Sequence, residues 1–281
     1  MIAAGPAPAE GDRQRDTGAM SPALSPQPLP WPSATAAQAG PEAPARAPYN
    51  PQARICLDCG VRRQALFGVL DAQALEQMHY RVLDLALEPG QSLYALHAPA
   101  QAAYTVREGL VRLERSSERG QRRIVRLAGP GDLIGLEAML GQTHAADALA
   151  CTPVKVCRLP RSLIDELGTA RPQLLHDLMK RWQAALDETE EWLTELTLGS
   201  ARWRMLRLML KLSEFGAADG TVWLPSRQQM GAMLGMTVET ASRLVSAFKR
   251  EGVIADTRPG QSHARLDMVR LMAALRDTAD D

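Results

Sequence analysis

The stretch from Thr237 to Ile254, TVETASRLVSAFKREGVI, decides how the rest of the chain is read. Ala241, Leu244, Val245 and Phe248 recur at helical spacing and define one apolar face. Between them Glu239, Ser242, Arg243 and Ser246 put a carboxylate, hydroxyls and a guanidinium on the opposite face. A helix of this kind can bury one side in a small domain and present the other to base edges in a DNA major groove. There an Arg can hold guanine O6 and N7 together, a Glu can accept from cytosine N4, and a Ser adapts to either. Thr240 shares the first turn and is assigned with this set, while Lys249 and Arg250 near the C-terminal end suit phosphates. An ordinary solvated helix with a Glu239–Arg243 pair at i,i+4 would have the same spacing. The flanking sequence has to decide between them.

Immediately upstream, Ser226 with Gln229 three residues on has capping-box spacing and opens a helix running to Leu234. Arg227 at the start of that helix is assigned to the DNA contact. Gly235 then marks a short turn, so two helices joined by a Gly-containing turn form a helix-turn-helix. Downstream, GVIADTRPGQSHARLDM carries a Pro-Gly turn between two extended runs, the pattern of a β-hairpin wing. Before the motif, RWRMLRLMLKLSEFG reads as a further helix ending at Gly216. The formal charge of the whole chain is zero, yet between 199 and 276 twelve Lys and Arg stand against six acids. The positive charge is gathered where the helix-turn-helix lies.

Further upstream, from Pro172, Leu175, Met179, Trp182, Leu186, Thr189, Leu193 and Leu196 step by four and three alternately. These seven seam positions carry no charge, which favours a coiled-coil dimer helix over an amphipathic helix packed only on its own domain. Residues 171–198 hold three basic and six acidic residues. The preceding region alternates short apolar and polar runs, with Gly or Pro at 89/90, 99, 109, 120 and 129–131, and is expected to form a small antiparallel roll closed by PVKVCRLP, 153–160. A short helix is expected at Leu66–Met78. The first fifty residues, rich in Ala, Pro, Gly and Ser, read as a disordered tail without a secretory signal pattern. No stretch approaches the roughly 20 apolar residues that cross a bilayer, so a cytoplasmic protein without membrane contact is expected. The fold class is therefore α+β: a disordered tail (1–50), a sensory antiparallel β-roll, jelly-roll in type, with an N-terminal CxxC (51–168), a dimerisation helix (169–198) and a C-terminal winged helix-turn-helix (199–281).

From about Cys56 onward, the order of roll with PGDLIG, long helix and LGMTVETASRLVSAFKREGVI resembles the Crp/Fnr family of bacterial transcription regulators. TVETASR resembles in particular the Fnr branch, whose E-x-x-S-R motif falls here on Glu239, Ser242 and Arg243. The resemblance implies a homodimer on double-stranded DNA with TTGAT-type half-sites, acting with RNA polymerase. It does not cover the tail.

In cyclic-AMP-binding members a Glu soon after PGD and an Arg-Ser pair about ten residues on hold the cyclic phosphate. Here PGDLIGLEAMLGQTHAADALA puts His144 and Ala145 at the pair, so no guanidinium is left for a phosphate and cyclic AMP is not expected. The Fnr branch implies instead a [4Fe-4S] cluster on C-x2-C-x5-C and a fourth Cys late in the roll. Cys56, Cys59 and Cys157 fall at three of these places, and Ala65 stands at the remaining one. Cys151 on a regular strand would lie roughly 20 Å from Cys157, so only a bend at Pro153 would let it serve. Cubane clusters usually take four thiolates. The readings left open are a labile cluster completed by Asp58 or a small ligand, a site that no longer binds metal, and a structural zinc on Cys56, Cys59 and Cys157. A regulator with another effector (haem, a small molecule, a thiol switch) and a CxxC redox enzyme are the rival functions. The enzyme reading lacks a nucleophile, base and orienting group at motif spacing.

Overall fold

The computed structural model describes residues 59–61, 81–117, 120–217, 219–255 and 262–279, all within one compact unit. The expected tail, the helix expected at Leu66–Met78, Cys56 and Ala65 lie outside the described residues.

Alternating runs between Gly turns build two four-stranded antiparallel sheets. The strands are β1 (Leu83–Leu87), β2 (Ser92–Tyr94), β3 (Ala102–Glu108), β4 (Val111–Ser116), β5 (Arg122–Ala128), β6 (Leu133–Ile134), β7 (Asp147–Ala150) and β8 (Val154–Pro160). One sheet has the order β1-β8-β3-β6 and the other β2-β7-β4-β5. Small and β-branched side chains, among them Ala102, Val106, Val111, Ala148, Val154 and Val156, fill the space between the sheets. Their modest volumes let the two layers approach closely. At Gly109 the backbone is left-handed (φ 83°), and a Cβ there would meet the Pro153 carbonyl oxygen at 2.1 Å. The β3–β4 turn therefore requires glycine.

Helix α1 (Arg161–Ala170) follows β8 directly, and α2 (Pro172–Thr197) starts with Pro at a position where its missing N–H costs nothing. Leu163, Ile164, Leu174 and Leu178 pack on the outer side of the β1-β8-β3-β6 sheet with Leu133, Cys157 and Leu159. The lower half of α2 turns to another core, where Trp192 and Leu196 meet α3 (Ala201–Ser213). The five large seam residues Leu175, Met179, Trp182, Leu186 and Leu193 are between 41% and 70% exposed. Thr189 lies among them, half-buried, its hydroxyl donating to the Ala185 carbonyl at 2.7 Å. Leu196 departs from the expected seam. It is 2% exposed and packed within its own protomer's core, so no second chain can reach it.

Beyond Ser200, whose hydroxyl caps α3 by accepting from Trp203 N–H, come β9 (Thr221–Trp223), α4 (Arg227–Leu234) and α5 (Val238–Arg250). They are followed by β10 (Ile254–Ala255), β11 (His263–Leu266) and α6 (Met268–Ala279). The small sheet has the order β10-β11-β9, and β10 with β11 forms the wing as an antiparallel pair. Pro259 and Gly260, where the sequence predicts a turn, lie outside the described residues. Together these elements form the roll, long helix and winged helix-turn-helix of the expected fold class.

Candidate nucleic-acid interface

Helix α4 opens with a complete capping box. The Ser226 hydroxyl accepts from Gln229 N–H at 3.2 Å, and the Gln229 side chain accepts from Ser226 N–H at 2.8 Å. It closes at Gly235, whose left-handed backbone (φ 61°) redirects the chain into α5. Thr237 caps α5, accepting from Thr240 N–H at 3.2 Å. On α5 Ala241, Val245 and Phe248 are buried and Leu244 is half-buried, whereas Glu239, Ser242, Arg243, Ser246, Lys249 and Arg250 are exposed. The helix therefore docks by its apolar face and leaves its polar face to solvent.

Glu239 and Arg243 are both exposed and form no ion pair with each other within 4 Å. The Glu239 carboxyl is held below the usual carboxylate range by its own backbone N–H, by the Thr237 hydroxyl and, more weakly, by the Arg243 charge. It stays an acceptor. Thr240 is half-buried, and its hydroxyl lies 3.1 Å from that of Thr237, so its first role is in the cap. Arg227 is also half-buried, with Nη1 donating to Met230 Sδ at 3.6 Å, and burial lowers its pKa.

Two arginines outside the motif hold its helices, Arg202 at the end of α5 and Arg204 at the end of α4, and local spacing does not reveal them. Arg202 on α3 donates from both Nη atoms to the Glu251 carboxylate, at 3.0 and 2.7 Å, and lies over the Phe248 ring at 5.0 Å. Arg204 donates to the Leu234 carbonyl at the end of α4. These pairings join residues 49 and 30 positions apart. No local spacing marks them.

In the roll, the segment corresponding to a phosphate cassette runs through Gly135 into a 3-10 turn, Leu136–Leu140. His144 is 3% exposed and stacks on Tyr94, with ring centroids 3.8 Å apart and planes 10° from parallel. Its Nδ1 lies 3.6 Å from Glu137 Oε2, and Glu137 Oε1 accepts from Ala145 N–H at 3.2 Å. Burial lowers the His144 pKa although Glu137 opposes this. A neutral ring pair thus stands where the cyclic-AMP-binding pattern has a guanidinium.

Cys157 is 9% exposed on β8, opposite Asp84 on β1, and its thiol donates to Asp84 Oδ1 at 3.5 Å. Arg107 Nη1 donates to the same Asp84 oxygen at 2.9 Å. Burial works against the Arg107 cation, but the bond and charge of Asp84, joined by the nearby Cys157 and Cys59, hold it above the usual arginine range. Among the described residues, no three His, Cys, Asp or Glu side chains converge as a metal site. Cys151 stands apart in the bend between β7 and β8, and it packs in the core that includes α3, whereas Cys157 packs against α1 and α2. Burial pushes the Cys151 thiol up to about 12, which keeps it a thiol. The bend thus separates the two cysteines instead of joining them.

Residues 85–170 match the cyclic nucleotide-binding domain family and residues 204–274 match the Crp-like helix-turn-helix domain family. The chain is 30% identical over 227 residues to the transcriptional regulatory protein btr of Bordetella pertussis, covering 79% of this chain and 93% of that protein. It is 27% identical over 207 residues to an anaerobic regulatory protein of Haemophilus influenzae, covering 71% of this chain and 80% of that one. The structure of FixK2 from Bradyrhizobium japonicum superposes with a TM-score of 0.60 at 27% identity, over 69% of this chain and 96% of that chain.

Proposed function

The chain belongs to the Crp/Fnr family of transcription regulators, which are DNA-binding proteins and not enzymes, and from that premise we propose that it acts as a homodimer on a palindrome of TTGAT-type half-sites. The observation that carries this reading is α5: Ala241, Val245 and Phe248 buried, and Glu239, Ser242 and Arg243 exposed along one edge. Arg243 reads the guanine of each half-site, Glu239 accepts from a cytosine, and Ser242 and Ser246 adapt to neighbouring bases. Lys249 and Arg250 in the last turn hold phosphates. The exposed stripe of Leu175, Met179, Trp182, Leu186 and Leu193 meets its symmetry mate, which puts two recognition helices on successive major grooves. The partners are double-stranded DNA, a second copy and RNA polymerase, in the cytoplasm. Among the described residues no helix is long and apolar enough to cross a membrane. A gel shift with a TTGAT palindrome and a scrambled duplex tests this, and equal affinity for both would sink it.

The signal enters through Cys56, Cys59 and Cys157, the last of them on β8 beside Asp84 of β1. Support comes from Cys157 bonded to Asp84 beside Arg107, with Cys59 close enough to add to the charge on Arg107, and from the Haemophilus relative, an anaerobic regulatory protein. Three thiols, Cys56, Cys59 and Cys157, are available, and a cubane usually takes four. The two described thiols do not by themselves fit a complete cluster site, so the input is an oxygen- or redox-responsive site, iron–sulfur or thiol in kind. Support for an effector other than cyclic AMP comes from His144, stacked on Tyr94, standing where the cyclic-AMP-binding pattern has an Arg. Iron and sulfide assays on anaerobically prepared protein separate the two kinds of site. Protein free of iron that binds its operator equally in air and without it would remove both.

A further inference from the structure

Several arginines of the roll have carboxylate partners: Arg107 with Asp84, Arg112 with Glu114, Arg126 with Glu188. Arg115 and Arg123 do not. They are exposed, and neither side chain forms an ion pair or hydrogen bond with any described residue. They are also directly opposite each other across the β4–β5 pair. Side chains in such a pair share a face with Cβ atoms about 5 Å apart, and like charges there are destabilising. That face is turned to the DNA-reading motif. Strand β5 packs against α4, and Arg123 Nη1 would lie 2.7 Å from a Cβ built on Gly235, the turn between α4 and the recognition helix.

We propose that Arg115 and Arg123 carry the DNA interface onto the sensory roll by meeting backbone phosphates beside the half-site. This rests on α5 being the recognition helix. In a helix-turn-helix the first helix crosses the DNA backbone, so the Arg123 guanidinium beside the turn after α4, with Arg115 opposite it on the same sheet face, is on the side of the phosphate track. The repulsion within the pair is relieved when a polyanion is bound. Contacts of this kind carry no sequence information and add affinity that falls with salt. They also give the roll a direct hold on the DNA, so a shift of β5 against α4 alters affinity without moving the base-reading residues.

The test is fluorescence anisotropy of the full chain on the TTGAT palindrome and on a scrambled duplex of equal length, at several salt concentrations. The proteins are the parent, the double variant Arg115→Met/Arg123→Met, the double variant Arg115→Lys/Arg123→Lys, and Arg243→Ala. The methionine pair should weaken binding to both duplexes and reduce the log–log salt slope by about 0.9 for each guanidinium lost. It should leave the preference for the palindrome unchanged and not lower the melting temperature. The lysine pair should restore the slope. An unchanged slope with methionine overturns the proposal, as does equal weakening by methionine and lysine with a lower melting temperature, which would assign Arg123 to packing on Gly235. Unchanged DNA binding with loss of RNA-polymerase-dependent transcription would overturn it in favour of a protein partner. A parent that does not distinguish the two duplexes refutes the base-reading roles, while the slope still reports the phosphate contacts.

Discussion

Arg243 and Lys249 are both exposed on α5, yet their chemistry predicts different losses. A guanidinium that forks onto guanine discriminates bases, so Arg243→Ala should cost about 1 to 3 kcal/mol and relax preference at the G·C pair of each half-site. Lys249→Ala should weaken all duplexes alike and flatten the salt dependence. Competition titrations with single-base variants of the half-site separate the two, and intact discrimination after Arg243→Ala would refute the assignment of roles. At Ser226 the expected loss is in folding. Its hydroxyl satisfies Gln229 N–H in the capping box, and Ser226→Ala should cost about 1 kcal/mol in urea unfolding without altering base preference.

Helix α2 serves two surfaces, and each predicts a distinct failure. Its exposed stripe leaves Leu186 47% accessible in the single chain. Leu186→Glu in a dimer sets two carboxylates against each other across a dry seam, at a cost on the order of several kcal/mol. Sedimentation should show monomers at concentrations where the parent is dimeric, and a variant as dimeric as the parent would refute the seam. On its other side, Glu188 accepts from Arg126 Nε on β5 at 2.9 Å and lies 3.7 Å from Lys211 Nζ on α3. One carboxylate thus ties the roll, the long helix and the DNA-binding domain. Glu188→Gln should leave the largely buried Arg126 guanidinium short of its main partner and lower stability by about 2 kcal/mol, read from denaturant unfolding.

At the scale of the whole molecule the input and output sites are far apart in sequence. Cys157→Ala should abolish any dependence of operator affinity on air, while Cys151→Ala, whose thiol sits in the other core, should not. Ala65→Cys, which completes the four-cysteine pattern, should slow any loss of response in air. Loss of the air dependence in Cys151→Ala alone would place the input elsewhere. How far the chain could be read before folding follows the range of the forces involved. The capping box at Ser226 and Gln229, the turn at Gly235, the buried Ala241, Val245 and Phe248, and the apolar stripe of α2 were legible because periodicity and capping act within a few residues. The same reasoning placed Leu196 in the dimer seam, but the docking of α3 claims it for the protomer's own core. The Arg202–Glu251 fork, the Arg126–Glu188 tie, the stacking of His144 on Tyr94 and the approach of Arg123 to Gly235 join residues from 49 to over 100 positions apart. Sequence alone determined the helix-turn-helix and the elements around it, because hydrogen-bonded turns and amphipathic faces are local. Only the tertiary structure decided which charges are paired and which face is left uncovered, because those depend on how separate elements dock.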